Sequence, residues 1–411
     1  MDRLVFHIDV NSAFVSWSAV EQLMQGSTVD IRTIPSIVGG DPDSRISIVA
    51  AKSIPAKKYG INTGEPVSMA MRKCPGLVVV HSDFDWYIRC SRAFKAIVQE
   101  YAPIMESYSI DEVFLDMSGM HLIYPDPIKT AYEIKDRIYE ELGFTVNVGI
   151  GYNKLCAKMA SDFEKPNKVH TLFTEEIPEK MWPLDVGELF SCGKATAEKL
   201  RHFNIKTIGD LAKASMEELS LILGERGANH YHNYANGIDN SPVSNEREDE
   251  KSYSAETTVE DDLTDLESIN KILLAQADIV SARMRADGAK CRCVSVTFRN
   301  LDFVTRSHQK KMYESTDLTS TIYEVAKELM KESWKGESLR LVGLGLSDLD
   351  REGFEQASLF VDEKKEKHKA LDATLDSIRG RYGSGSVKRA ATMDMSRNIN
   401  KKHQASLDQD K

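Results

Sequence analysis

The stretch Ser109-Ile110-Asp111-Glu112-Val113-Phe114-Leu115-Asp116 sets two consecutive acids between two short apolar runs, Ile104–Tyr108 before it and Val113–Met117 after it. Runs of that length, rich in β-branched and aromatic residues, predict two strands joined at a tip. Successive side chains of a regular strand point to opposite faces, so Asp111 and Glu112 can serve one site only if the tip departs from strand geometry. Spacing alone leaves open the plainer reading, a solvated acidic turn. A third acid, Asp9, ends the first predicted strand, Leu4–Asp9. If that strand neighbours the other two in one sheet, the three carboxylates converge. Hard oxygen ligands of this kind suit Mg²⁺, which takes one or two carboxylates together with substrate phosphates. Two such ions about 3.5–4 Å apart stabilise the attacking and leaving oxygens of an in-line phosphoryl displacement.

Outward from these acids the chain alternates strands and helices. Helical spacing of Phe14, Trp17 and Val20 predicts a helix over Asn11–Met24. Ile37–Pro75 reads as short strands and turns with a basic helix at Ile54–Tyr59. Helices are predicted at Asp85–Tyr101, Ile128–Leu142 and Lys154–Phe163, and a strand at Thr145–Gly151. That order predicts an α/β layer with antiparallel strands and helices on one face. Ile177–Asn240 is a series of short helices, and Asp239–Lys251 (DNSPVSNEREDEK) lacks apolar periodicity and reads as a linker. Beyond it, a strand, a long helix through Ile269–Met284, an alternating strand Cys291–Arg299, a helix Ser320–Lys331 and an alternating run Leu339–Leu346 predict a small α/β domain with a half-exposed sheet. Lys364–Tyr382 is predicted helical and Gly383–Lys411 disordered.

The bulk numbers bound the function classes. At roughly 100–200 residues per domain, 411 residues predict about two to four domains. No apolar run reaches about 18 residues, so no membrane partner is expected. The start MDRLVFHIDVNSAF lacks a signal-peptide core. Six cysteines without CxxC spacing argue against structural zinc and for a reducing compartment, so a cytoplasmic protein is expected. The formal net charge of −10 runs against the usual basic footprint of a nucleic-acid binder, so the distribution of charge matters more than its sum.

With these residues in view, the chain resembles the Y-family translesion DNA polymerases, in the bacterial DinB/UmuC group. The resemblance runs to about Leu349 and rests on three motifs in family order. They are His7-Ile8-Asp9-Val10-Asn11-Ser12-Ala13-Phe14, the Ser109–Asp116 stretch, and Gly149-Ile150-Gly151 followed by Asn153-Lys154-Leu155-Cys156-Ala157-Lys158 and Ser161-Asp162-Phe163-Glu164-Lys165-Pro166-Asn167. It implies an α+β multidomain, right-hand architecture. A ferredoxin-like palm takes 1–12 and 80–173, small fingers 13–79, and a helical thumb with a helix-hairpin-helix 174–240. A linker takes 241–252, an α/β little finger 253–350, and a C-terminal tail 351–411. It implies that Asp9, Asp111 and Glu112 are catalytic and hold two Mg²⁺ ions, or Mn²⁺ in their place, helped by the Val10 carbonyl. Phe14 becomes the steric gate against a 2′-hydroxyl, and Lys57 and Lys165 contact the dNTP.

The fingers element Pro55-Ala56-Lys57-Lys58-Tyr59-Gly60-Ile61 departs from the family's Pro-Ala-Arg-Lys-Phe-Gly-Val. Lys57 stands where Arg is usual, Ile54 where Tyr is usual, and Ala51 where a hydroxyl is common, which puts the affinity for nucleotide in question. Leu189–Leu200 with Ile208-Gly209-Asp210-Leu211 resembles the helix-hairpin-helix that holds a DNA phosphate on backbone amides, here at Gly193 and Lys194. The basic cluster Arg283, Arg285, Lys290, Arg292, Arg299, Arg306, Lys310 and Lys311, with Ser295, Thr297 and Arg299 along one strand, resembles a face that follows DNA phosphates. Gln356-Ala357-Ser358-Leu359-Phe360 resembles the peptide by which bacterial polymerases dock on the sliding clamp, through Gln356, Leu359 and Phe360.

The implied activity is error-prone translesion synthesis in DNA damage tolerance, without proofreading, on primer–template DNA and by a monomer. Two other readings stay open: a two-metal nuclease using the same acids, and a catalytically weak scaffold recruited to the clamp.

Overall fold

A computed structural model of the chain describes residues 3–246, 249–351 and 363–395. The chain divides into two compact units, one of Met1–Asp43 and Ser47–Arg247, the other of Ser44–Ile46 and Glu248–Lys411.

The first unit is organised by β1 (Val5–Val10), all six of whose residues are buried. Then come α1 (Ala13–Met24), β2 (Ser36–Gly39), β3 (Val49–Lys52), α2 (Ile54–Lys57), α3 (Val67–Lys73), β4 (Val78–His81), α4 (Phe84–Gln99), β5 (Met105–Ser107), β6 (Glu112–Asp116), α5 (Pro127–Leu142), β7 (Val146–Gly151), α6 (Lys154–Asp162) and β8 (Val169–Leu172). The main sheet has the order β5-β6-β1-β7-β8. β1 lies antiparallel between β6 and β7, and β8 runs parallel to β7.

Period-two alternation assigns the two faces of β1. Phe6, Ile8 and Val10 enter a core with Trp17, Phe94 and Ile134, contributed by α1, α4 and α5. His7 and Asp9 point the other way, towards α6, which packs on β1 and β7. α6 comes this close because β7 offers glycine: a Cβ on Gly149 would stand 2.0 Å from the Ala157 carbonyl oxygen, and one on Gly151 2.8 Å from the Ala157 nitrogen.

A separate three-stranded sheet, β3-β2-β4, has its own small core of Ile37, Val49, Ala56, Ile61, Val67 and Ala70. The unit closes with α7 (Lys194–His202), α8 (Ile208–Lys213) and α9 (Met216–Ala235), the last broken at Gly224, whose φ is 75°. The stretch expected to be a linker is partly packed: Val243 is buried with Val5, Phe114 and Ala157, and Arg3 donates to the Ser241 carbonyl.

The second unit contains β9 (Ser252–Leu263), α10 (Leu266–Ala286), β10 (Lys290–Asn300), β11 (Thr305–Thr316), α11 (Thr319–Ser333), β12 (Leu339–Asp350) and α12 (Glu363–Tyr382). Its antiparallel sheet has the order β11-β10-β12-β9. Val294, Val296 and Phe298 face α10 and α11, while Ser295, Thr297 and Arg299 lie on the opposite face. β11 is a strand that sequence periodicity misses. It lies at the sheet edge with nearly every residue exposed, so neither face demands an apolar alternation.

The helix expected at Lys364–Tyr382 is present, while the stretch just after Gly383, expected to be disordered, is in part structured. α12 is anchored by Asp372, only 3% exposed, which accepts from the Thr319 backbone and pairs with Arg285 and Arg389. Arg379 and Arg389 both reach Asp278 of α10, so Arg389 holds the start of the following stretch on the unit, where a short helical turn forms at Ala390–Met395. The six cysteines are all buried free thiols.

Candidate active site

The β1–β6 register sets Asp9 directly across from Glu112. Side chains at opposed positions of an antiparallel pair share a face, so both carboxylates lie on the α6 side. Asp111 precedes β6, in the bend, where its carbonyl accepts from the Val10 amide at 3.0 Å. The tip therefore leaves regular strand geometry at Asp111, as two consecutive acids on one site require. The Asp111 carboxylate is held by the Ser109 hydroxyl at 2.6 Å.

A cavity of about 670 Å³ opens beside these acids, lined by Asp9, Asp111, Phe14, Lys57 and Lys165 among others. Glu112 is outside that lining. Its carboxylate is directed to Lys158 at 2.9 Å and to His7 at 3.6 Å. Lys165 forms an ion pair with Asp9 and reaches Asp162 at 2.8 Å. Burial pushes the Asp9 carboxyl up to about 6, with Lys165 pulling it back down. Burial also works against ionisation of Glu112, but His7 and the Lys158 ammonium together hold it at about 2. His7 is itself pushed down to about 4 by burial and is neutral at neutral pH.

The expected convergence of three carboxylates is thus met only in part. Among the described residues no three His, Cys, Asp or Glu side chains gather into a ready-made metal cage. The donor set is nevertheless all hard oxygen, and lysine ammoniums hold the positions of compensating positive charge. This fits a divalent ion that arrives with phosphate oxygens to complete its shell.

Phe14, in the first turn of α1, stacks on Tyr87 at 4.7 Å and 11° and meets Phe84 edge-on at 5.7 Å. It is therefore both a partly buried core aromatic and a cavity wall. Lys57, the last residue of α2, also lines the cavity.

Several residues were not singled out by sequence. Ser12 lies in the left-handed region, with φ 47°, and precedes α1 with no side-chain cap, so the first amides of that helix are left open at the cavity. Asn11 and Asn147 form a buried amide pair at 3.1 Å. Asn147 donates to the Ser161 and Glu164 carbonyls and accepts from the Lys168 amide, while Asn11 accepts from the Asn167 amide. Together they clamp the loop that carries Lys165. Lys158 and Lys52 complete the set, the latter as a cavity-lining residue of β3. A buried polar residue at an inward strand position was the available signal for Asn147; Lys52 carried none.

Away from the cavity, α7 begins at Gly193 with no side-chain cap, and a Cβ there would meet nothing within 4 Å, so the amides of Lys194 and its neighbours are accessible. On β10, Ser295, Thr297 and Arg299 stand opposite Gln309, Ser307 and Thr305 of β11, giving a face rich in hydroxyls. Arg299 donates to the Thr305 hydroxyl at 2.8 Å. Within the basic cluster, Arg285, Arg292, Arg306, Lys310 and Lys311 are paired with Asp376, Asp350, Glu337, Glu328 and Asp348 respectively. Gln356, Leu359 and Phe360 lie outside the described residues.

The chain matches the impB/mucB/samB family over residues 8–162, that family's C-terminal domain over 250–359, and the thumb domain of DNA polymerase-iota over 187–239. It is 45% identical to a DNA polymerase IV of Clostridium acetobutylicum, over 96% of this chain and 99% of that one. It is 36% identical to a DNA polymerase IV of Acetivibrio thermocellus, over 95% and 97%. Among solved structures, a Y-family DNA polymerase chimera of Dbh and Dpo4 superposes with a TM-score of 0.72 at 24% identity, covering 84% of this chain and 98% of that one.

The Lys158–Glu112 pair is open to direct test. Lys158→Met leaves a partly buried carboxylate without its ammonium and is expected to lower unfolding stability by about 1–3 kcal/mol. Adding Glu112→Gln is expected to recover most of that loss in the urea midpoint, because the uncompensated charge is then gone.

Proposed function

The chain belongs to the impB/mucB/samB family, as a DNA polymerase IV-like member of the Y-family, and from that premise we propose how its residues serve the reaction. It is a DNA-directed DNA polymerase of the translesion kind, acting on DNA and deoxynucleotides with a divalent cation. The proposal concerns roles. Asp9, Asp111 and Glu112, with the Val10 carbonyl, hold two Mg²⁺ ions, and Mn²⁺ substitutes. Bound there, the ions stabilise the attacking 3′-hydroxyl and the leaving pyrophosphate oxygens. The carrying observation is the opposition of Asp9 and Glu112 across β1 and β6, with Asp111 lining the same cavity as Asp9.

The chain's own groups do the rest. The open amides at the start of α1, from Ser12 to Phe14, offer a phosphate a helix N-terminus. Lys165, held in place by the Asn11–Asn147 clamp, exchanges its carboxylate partners for phosphate oxygens. Lys57 approaches from the fingers side. Phe14, its ring fixed by Tyr87 and Phe84, blocks the space beneath the sugar's 2′ position.

Residues 1–12 and 80–173 serve as palm, 13–79 as fingers, 174–240 as thumb and 253–350 as little finger. The α7 start at Gly193 and Lys194, and the face of Ser295, Thr297 and Arg299, follow the duplex backbone through amides and hydroxyls. The segment Gln356–Phe360 docks on a sliding clamp, and the enzyme acts as a cytoplasmic monomer.

Primer extension on an undamaged template with Mg²⁺ and four deoxynucleotides tests the core of this reading. Wild type is expected to extend and Asp111→Ala is expected not to. Nucleotide-independent shortening of the primer would point to a nuclease instead. In the same assay Phe14→Ala is expected to reduce discrimination against ribonucleotides, on the order of tenfold or more; unchanged sugar selectivity would remove its role. Deleting 356–360 is expected to abolish stimulation by the clamp and leave basal extension intact.

A further inference from the structure

We propose that Lys52 is a second fingers-side ligand for the triphosphate of the incoming nucleotide, acting beside Lys57. The inference rests on the reading of the cavity as the nucleotide site and adds a residue to it.

The wall contributed by β3 and α2 is chemically sparse. Ala50, Ala51 and Ile54 line it with methyl and alkyl groups, and its charged members are Lys52 and Lys57. Positions 51, 54 and 57 are Ala, Ile and Lys, so they bring no hydroxyl or guanidinium to that wall. A triphosphate carries several negative charges and has to be met by cations or amides at close range. Lys165 on the opposite wall is shared between Asp9 and Asp162. Lys52 and Lys57, by contrast, form no ion pair with a carboxylate among the described residues.

Lys52 is also placed to move its charge at little cost. Its Nζ donates to the Ile61 carbonyl at 2.5 Å. An ammonium has three donors, so one can anchor it while the others turn to a ligand. Glu65 is the nearby acid, and it is engaged by Lys73, whose Nζ also donates to the Gly60 carbonyl, so Lys52 itself forms no ion pair with it. Burial and the Lys57 charge both push the Lys52 ammonium below its ordinary pKa. A partly desolvated cation of this kind is relieved when an anion arrives, so its interaction with phosphate is stronger than that of a freely solvated lysine. Ile54 and Ala51 supply no hydrogen bond, and lysine from the next position on β3 fills the same wall with a longer, more flexible donor.

The bland role for Lys52 is a structural tie between β3 and the turn at Ile61. The two roles separate by experiment. Steady-state primer extension by the full chain, as a function of deoxynucleotide concentration, compares wild type with Lys52→Met, Lys52→Gln and Lys52→Arg. Glutamine keeps a donor for the Ile61 carbonyl and removes the charge; arginine keeps both. The expected result is a KM for nucleotide raised about tenfold in both uncharged variants, with kcat changed by less than about twofold, and restored by arginine. Inhibition by inorganic pyrophosphate is expected to weaken in parallel. The proposal is overturned if KM and pyrophosphate inhibition are unchanged in Lys52→Gln, or if the methionine variant alone is impaired and melts at lower temperature, since both describe a tie. A wild-type protein that fails to extend primers would instead remove the nucleotide-site reading on which the proposal stands.

Discussion

The register of β1 against β6 is the constraint on which the site depends. A slip of one residue would turn Asp9 into the core and bring Ile8 to the face beneath α6. Two sets of contacts hold it. Phe6, Ile8 and Val10 are committed to a core shared with α1, α4 and α5, and the backbone of β1 is paired on both edges, by β6 and by β7. Asp9 thereby meets Glu112, and the bend just before β6, which begins at that residue, sets Asp111 at the cavity. The glycines of β7 extend the same logic, since α6 approaches closely enough to present Lys158 to Glu112 only where no Cβ stands between.

Electrostatics decides how such a face can exist in a folded chain. Carboxylates removed from water need partners, and here lysine ammoniums provide them: Lys165 for Asp9 and Lys158 for Glu112. The Asn11–Asn147 clamp holds the Lys165 loop against β1 and β7.

A net charge of −10 and a DNA substrate are compatible for a related reason. Most of the basic cluster in the second unit is spent on internal ion pairs, and Arg285, Arg379 and Arg389 fasten α12 and the turn after it to α10. That sheet turns hydroxyls and Arg299 towards solvent together with paired but exposed Arg306, Lys310 and Lys311, and in the first unit the start of α7 is uncapped. Backbone amides and hydroxyls bind phosphate through directed hydrogen bonds, so they need little net charge.

Much of this was legible in the sequence. The strands and helices around the acids follow from apolar periodicity, and of the residues named from motif resemblance Asp9, Asp111, Phe14 and Lys165 line one cavity while Glu112 lies beside it. The misses share a physical cause. β11 is exposed on both sides and so carries no alternation; the turn after Gly383 is held by ion pairs with Asp278 and Asp372, which local composition cannot reveal. Sequence alone determined which residues can carry charge or bury carbon, because those are properties of single side chains. Which charges face one another, Lys165 with Asp9, Lys158 with Glu112, and Arg285 with Asp376 and not with solvent, was decided only by tertiary structure, because pairing depends on distance between segments far apart in the chain.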